Sequence, residues 1–188
     1  EIKDDPAVLE ESITAIKNES ENMKELIDQL LFLARGDNGR QKLSMEKLNL
    51  SDVMREVWEE SMMIDSEHKY LFEDSENCYI NGDLAMIKQS VRIFVQNAAK
   101  YSDKGNTIKL SVKRAGDKVS YMVQDEGIGM AGEELSHIFE RFYKLDSYKV
   151  GLGLGLPLCR MIANRLGGTI HLDADYHNGA RFIVHLPL

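Results

Sequence analysis

Two glycine-rich stretches carry the residue types that could do chemistry: Asp125-Glu126-Gly127-Ile128-Gly129-Met130 and Gly151-Leu152-Gly153-Leu154-Gly155-Leu156. Glycine has no Cβ, so its backbone can approach a ligand closely and take positive φ. The first stretch adds a carboxylate, Asp125, at the end of an apolar alternation that reads as a strand. The second runs into a helical pattern, whose unpaired N–H groups form a seat for phosphate. A carboxylate suited to a base and a helix end suited to phosphates together describe a nucleotide site. Each stretch alone is equally readable as a tight turn, because a lone Gly-x-Gly has low specificity. The case rests on the order of the pieces around them.

A third piece lies upstream. Asp83 is placed to cap a helix over about 84–101, with Ile87, Val91, Phe94, Val95 and Ala98 on its inner face. Asn97 and Lys100 share a face near its end, followed by Tyr101. The amide oxygen is a hard donor suited to Mg²⁺. The ammonium can reach phosphate oxygens, and the ring can stack. A solvated helix end is the competing reading. A fourth piece, Ile138-Phe139-Glu140-Arg141-Phe142-Tyr143-Lys144, lies between the two glycine stretches. Its aromatics read either as core or as an apolar latch on a mobile loop.

The elements that must position these pieces follow from periodicity. Apolar or small residues at Leu9, Ile13, Ile16, Ser20, Met23, Ile27, Leu30 and Ala34 step by four and three, a heptad seam over about 7–35 with one polar break. Leu26, Leu31 and Leu33 widen that surface. Such a helix is either one strand of a bundle between protomers or an amphipathic helix packed on its own domain. The polar segment 36–50 reads as a hinge with a short strand over 43–48. The boundary falls near residue 45, giving units 1–45 and 46–188. Ser51 is the expected N-cap of a helix over about 52–66. Strand patterns follow at Tyr70-Leu71-Phe72 and Tyr79-Ile80. Ile108, Leu110 and Val112 pair with Val119, Tyr121 and Val123 through Ala115-Gly116-Asp117. A helix over about 156–166 ends at Gly167-Gly168, and a last hairpin turns at Asn178-Gly179. One sheet with helices on one face follows from this order.

Composition sets the outer limits. The net charge of −8 disfavours a nucleic-acid partner, which requires a basic face. Cys78 and Cys159 are far apart in the chain and in no metal-ligand spacing, so they read as two reduced thiols. No apolar run approaches the ~20 residues that span a bilayer. The opening Glu1-Ile2-Lys3-Asp4-Asp5-Pro6 reads as a loop or a cut, and the chain is expected to be a piece of a longer protein.

Taken in order, Gln96-Asn97-Ala98-Ala99-Lys100-Tyr101, Asp125-Glu126-Gly127-Ile128-Gly129, Phe139-Glu140-Arg141-Phe142-Tyr143 and Gly151-Leu152-Gly153-Leu154-Gly155-Leu156 resemble the N, first-glycine, F and second-glycine boxes of bacterial sensor histidine kinases. The resemblance implies a catalytic ATP-binding domain over 46–188, of the Bergerat-type fold shared with gyrase-type and chaperone ATPases. That fold is α+β, a two-layer α/β sandwich. Its mixed, mostly antiparallel sheet carries about three helices on one face, here preceded by a long bundle-type helix. Leu30-Leu31-Phe32-Leu33-Ala34-Arg35 is similar to the end of the second helix of the dimerisation and phosphotransfer hairpin.

The resemblance also implies roles. The cofactors are ATP and Mg²⁺, with Asn97 on the metal, Lys100 on phosphate and Tyr101 against the nucleotide. Asp125 accepts from the adenine amino group, and Gly127, Ile128 and Gly129 make room for the base. Phe139 and Phe142 hold the lid. Gly151, Gly153, Leu154 and Gly155 wrap the phosphates. The γ-phosphate would pass to a histidine and then to the aspartate of a response-regulator receiver domain. The parent would be a homodimer in a bacterial inner membrane, with this part soluble and cytoplasmic.

Four departures qualify the match. The family's phosphoacceptor sits in a His-Glu/Asp-x-x-x-Pro setting, and none of the five histidines (His68, His137, His171, His177, His185) has one. The phosphoacceptor helix is therefore expected from outside this chain, on the same or a partner protomer, and no autophosphorylation of this chain alone is expected. Ile93 stands one turn before Asn97, where many of these kinases have a second Asn and gyrase-type ATPases a Glu. Leu152 replaces a smaller residue and the lid before Gly151 is short. Ala180 stands where a Ser or Thr often supports the base. These departures keep open a catalytically degenerate nucleotide-binding scaffold that signals through its helical dimer interface. A stand-alone gyrase-type ATPase lacks its Glu.

Overall fold

The computed structural model describes residues 6–37, 42–75, 78–130, 134–144 and 152–188. The first element, α1 (Pro6–Asp37), realises the heptad pattern as one uninterrupted helix. Its seam faces solvent: Leu9, Ile13, Ile16, Met23, Ile27 and Leu30 are all exposed, and Ile16 is 67% exposed. Only near its C-terminal end does α1 join the core, through Leu33 (4% exposed) and the half-buried Phe32, on the side of the last helix.

The rest is built as the apolar alternations dictate. β1 (Met45–Asn49) leads into α2 (Leu50–Ile64), then come β2 (Lys69–Glu73), β3 (Tyr79–Asp83) and α3 (Leu84–Tyr101). β4 (Thr107–Ala115) and β5 (Lys118–Gln124) form a hairpin. Downstream are a short 3-10 turn (Glu134–Ser136), α4 (Gly155–Arg165), β6 (Thr169–Leu172) and β7 (Arg181–Pro187). Five strands form the main sheet in the order β2-β4-β5-β7-β6. Its neighbours are antiparallel except β2 and β4, which run parallel with α3 in the connection between them, as a parallel pair requires a crossover. The helices α2, α3 and α4 cover one face of this sheet. The expected two-layer α+β architecture is therefore present.

Two local features differ from the sequence reading. β1 and β3 do not enter the main sheet. They pair with each other as a separate antiparallel ribbon, Met45 opposite Asp83 and Leu48 opposite Ile80. The N-cap of α2 is Asn49, whose side chain accepts from the Ser51 N–H at 3.3 Å, and not Ser51. The Ser51 hydroxyl instead donates to the carbonyl of Ser75 at 3.0 Å. Both residues are competent caps, and tertiary pairing decides between them.

The core is the expected one. The inner face of α3 is buried with Val112, Tyr121, Val123, Phe182 and Val184 of the sheet beneath it. Phe94 stacks on Phe182 with ring centroids 5.1 Å apart. The α3 cap joins two elements: Asp83 accepts from Met86 N–H at 3.1 Å with Oδ1 and from Ser44 N–H at 2.9 Å with Oδ2. On the outside, Glu56–Lys88 and Glu60–Arg92 ion pairs tie α2 to α3. Cys78 and Cys159 are both buried and unbridged. Burial holds the Cys159 thiol well above its ordinary pKa. No helix among the described residues is long and apolar enough to cross a membrane.

Candidate functional site

Asp125 sits one residue past β5. Its N–H donates to the carbonyl of Ala180 at 2.9 Å, extending the β5–β7 pairing by one step beyond the ladder. The residue is only 5% exposed. Its Oδ1 accepts twice, from the N–H of Gly127 at 2.9 Å and of Ala180 at 3.0 Å. Among the described residues nothing donates to Oδ2. Burial raises the Asp125 pKa above its ordinary value, and the two backbone N–H groups partly offset that rise. Ala180 thus supports the carboxylate through its backbone although it has no hydroxyl.

The turn after Asp125 is pressed against the end of α3. The N–H of Ile128 donates to the carbonyl of Tyr101 at 3.2 Å. A Cβ on Gly127 would lie 2.3 Å from that same carbonyl oxygen, so no other residue fits without moving the backbone. Gly129 has φ +67. The Ile128 side chain projects into solvent. Across the turn, Tyr101 has the Lys100 ammonium 5.0 Å from its ring centre. Asn97, one turn earlier, is half-buried, and its side chain makes no hydrogen bond among the described residues.

The second glycine stretch approaches α3 from the other side. Gly155, the first residue of α4, abuts Ile93: a Cβ there would lie 2.9 Å from Ile93 Cγ2 and 4.0 Å from Asn97 Nδ2. Ile93 is buried, so it packs against the start of α4. Leu154 precedes α4 and makes no side-chain cap hydrogen bond, so the first N–H groups of the helix have no side-chain acceptor among the described residues. Its own side chain is 1% exposed, so it fills the core, and only its backbone borders the site. Gly153 (φ +68) lies against the loop before it, where a Cβ would be 2.3 Å from the Tyr143 carbonyl oxygen. The Gly153 carbonyl accepts from the N–H of Phe142 at 3.1 Å. Gly151 lies outside the described residues.

The aromatic segment divides between the two readings. Phe139 is half-buried and meets Phe182 edge-on, with centroids 6.5 Å apart, while Ile138 is fully in the core. Phe142 is 63% exposed and holds positive φ, +68, which is rare for a non-glycine residue. Tyr143, not Phe142, is the second aromatic packed on the core. The sequence reading also missed Tyr176. Its hydroxyl donates to the Asp125 carbonyl at 3.0 Å and accepts from Gln124 Nε2 at 3.0 Å. Nothing in its sequence setting marked it, because it lies 51 residues from Asp125 in a loop without motif.

The family described as "Histidine kinase-, DNA gyrase B-, and HSP90-like ATPase" matches residues 82–188, more than half of the chain. The chain belongs to this ATPase family. Within it, the chain is similar to the sensor histidine kinase YkoH of Bacillus subtilis, 36% identical over 166 residues, covering 86% of this chain and 36% of that protein. The sensor protein KdpD of Clostridium acetobutylicum is 30% identical over 183 residues, covering 95% of this chain and 20% of that protein. The chain thus spans about a third or less of the length of these two relatives. Among solved structures, the histidine kinase ThkA in complex with response regulator TrrA superposes with TM-score 0.77 at 27% identity, over 98% of this chain and 52% of that one. Full-length ShkA in complex with AMPPNP shares the fold, with TM-score 0.82 at 24% identity over 95% of this chain and 38% of that one. This member of the ATPase family is an ATP-binding domain of the sensor histidine kinase type.

Proposed function

We propose that this chain is the part of a sensor histidine kinase that binds Mg–ATP and presents the γ-phosphate to a histidine outside it, for relay to a response-regulator aspartate. The observation that carries this reading is Asp125: a buried carboxylate with one oxygen committed to backbone donors and the other without a donor among the described residues. An adenine amino group satisfies that oxygen. In this reading Gly127, Ile128 and Gly129 border the base, Tyr101 lies against the nucleotide, and Lys100 meets the phosphates. The backbone of Gly151, Gly153, Leu154 and Gly155 wraps them at the open end of α4. Phe139 holds the lid to the core. Phe142, which is solvent-exposed, is the second anchor of the lid.

An amide oxygen is a donor that Mg²⁺ accepts, and the uncommitted Asn97 side chain fits that role. Bound Mg²⁺ supplies charge neutralisation at the phosphates. Residues 46–188 form the catalytic unit. Residues 1–45 supply the second hairpin helix and a linker, and the exposed seam of α1 is covered by the partner helices of a homodimer. The parent sits in a bacterial inner membrane with this part in the cytoplasm. Support for the receiver-domain partner comes from ThkA, a relative in fold whose structure is a complex with a response regulator.

None of the five histidines lies on an α-helix, and His68 is held by Asp65 at 2.7 Å. The expected outcome with labelled ATP is therefore no label on this chain alone. Label is expected on the histidine of a separately prepared phosphoacceptor helix, and only with Mg²⁺. The rival scaffold reading draws on Ile93, which packs against α4 and supplies no second metal donor. Nucleotide binding without transfer to the supplied helix would establish that rival.

A further inference from the structure

Asp125 can discriminate between bases only if its free oxygen is held in place, and its own strand ends one residue before it. The loop between β6 and β7, the latter the neighbour of β5 in the sheet, does the holding. Gly179, with φ +143, lies so close that a Cβ there would be 2.2 Å from the Asp125 carbonyl oxygen. Onto that same carbonyl the Tyr176 hydroxyl donates at 3.0 Å. Tyr176 is fixed in turn. Its hydroxyl accepts from Gln124 Nε2 at 3.0 Å, and the Arg181 guanidinium lies 4.2 Å from its ring centre. Arg181 donates through Nε to Gln124 Oε1 and through its terminal nitrogen to Asp173 Oδ2, each at 2.9 Å. Burial, the largest influence, raises the Tyr176 pKa, so its proton stays available for donation at neutral pH.

We propose that Tyr176 is a positioning residue for base selection. Held by Gln124 and Arg181, it clamps the main chain at Asp125 so that Oδ2 points at an amino group and not at a carbonyl. The inference rests on the nucleotide reading of the site and deepens it. Tyr176 touches Asp125 through the main chain and acts on the ligand through it. Loss of its hydroxyl releases one clamp on Asp125 and leaves the two N–H bonds to Oδ1 in place. The fault is therefore one of aim, and it falls on the base and not on the phosphates.

The test is calorimetry of Mg–ADP, Mg–GDP and inorganic tripolyphosphate on the unaltered chain, Tyr176→Phe and Gln124→Met, with melting temperatures recorded alongside. Tyr176→Phe keeps the ring on Arg181 and removes only the hydroxyl. The expected result is an ADP Kd raised about fivefold to tenfold, the effect of one ordinary hydrogen bond. GDP and tripolyphosphate change less than twofold, so the ADP-to-GDP preference falls by nearly the same factor. Gln124→Met moves ADP in the same direction by a smaller factor and covers the case in which Tyr176→Phe misfolds. A merely structural role would weaken ADP and tripolyphosphate equally and lower the melting temperature, which overturns the proposal. Unchanged ADP binding in both variants also overturns it. If the unaltered chain binds tripolyphosphate but not ADP, or binds neither, the nucleotide reading falls, and this inference falls with it.

Discussion

The Asp125 end and the Asn97 end of the site are built in opposite ways. At Asp125 the polar groups are satisfied inside the fold: two N–H donors on Oδ1, Ala180 pairing on both backbone groups, and Tyr176 on the carbonyl, with one oxygen left over. At Asn97 the side chain has no hydrogen-bond partner among the described residues, and its neighbour Ile93 is given over to packing against Gly155. One end is organised by the chain alone, and the other is built to be completed by what binds. In the proposed reading, preorganisation at the Asp125 end lowers the cost of ordering a base on binding, whereas the Asn97 end would take its geometry from metal and phosphate.

The largest expected effect comes from breaking the rigid end. In Gly127→Ala the new Cβ has no room beside the Tyr101 carbonyl oxygen, 2.3 Å away, so the turn or the end of α3 must shift. A loss of about 3 kcal/mol in unfolding free energy is expected by denaturant titration, the upper range for overpacking, together with loss of ADP binding. Gly127→Ala with unaltered stability would mean that this end is as adaptable as the other.

The two ends also differ in their response to pH. The Asp125 pKa is raised, chiefly by burial, so the folded chain takes up a proton there at a higher pH than the unfolded chain does. In the window between the two values the folded state binds more protons, so Asp125 contributes to stability as pH falls and detracts as pH rises. In the proposed reading binding moves the opposite way, because an ionised carboxylate is a stronger acceptor for an amino donor than the protonated acid. ADP affinity is expected to fall on acidification at pH values where an ordinary aspartate is still charged. Tripolyphosphate affinity, which does not touch Asp125, should not show that step. Equal pH profiles for the two ligands would break the assignment.

The smallest effect expected is at the surface. Arg92→Ala removes an ion pair to Glu60 that is roughly half exposed on the arginine side. It should cost no more than about 1 kcal/mol, less in high salt, with ADP binding unchanged at either end of the site.

The same contrast explains what the sequence could reveal. Regular periodicity made α3, the β4–β5 hairpin and α4 readable, because each buries one face on the same sheet. The glycine turns and Asp125 were readable because few residue types tolerate such backbone contacts. The pairing of β1 with β3, the Asn49 cap, the burial of the Leu154 side chain, which of the lid aromatics packs on the core and the Tyr176 hydrogen bonds were not readable. Each depends on which of two chemically competent residues the tertiary fold brings close. α1 and α3 make the point together: both show an apolar helical stripe, yet α3 is buried and the α1 seam is exposed. Periodicity identifies the face and leaves its partner open.

In the proposed function Asp125 reads a base while Asn97 serves a metal, and a single titration separates the two roles. Mg–ADP binding is measured by calorimetry on the unaltered chain, Asp125→Asn and Asn97→Ala, each with Mg²⁺ and with the metal chelated. Asp125→Asn is expected to weaken ADP at least tenfold with and without Mg²⁺. Asn97→Ala should abolish the gain from Mg²⁺ and leave metal-free binding intact. Full Mg²⁺ dependence in Asn97→Ala, or unaltered ADP affinity in Asp125→Asn, would contradict it.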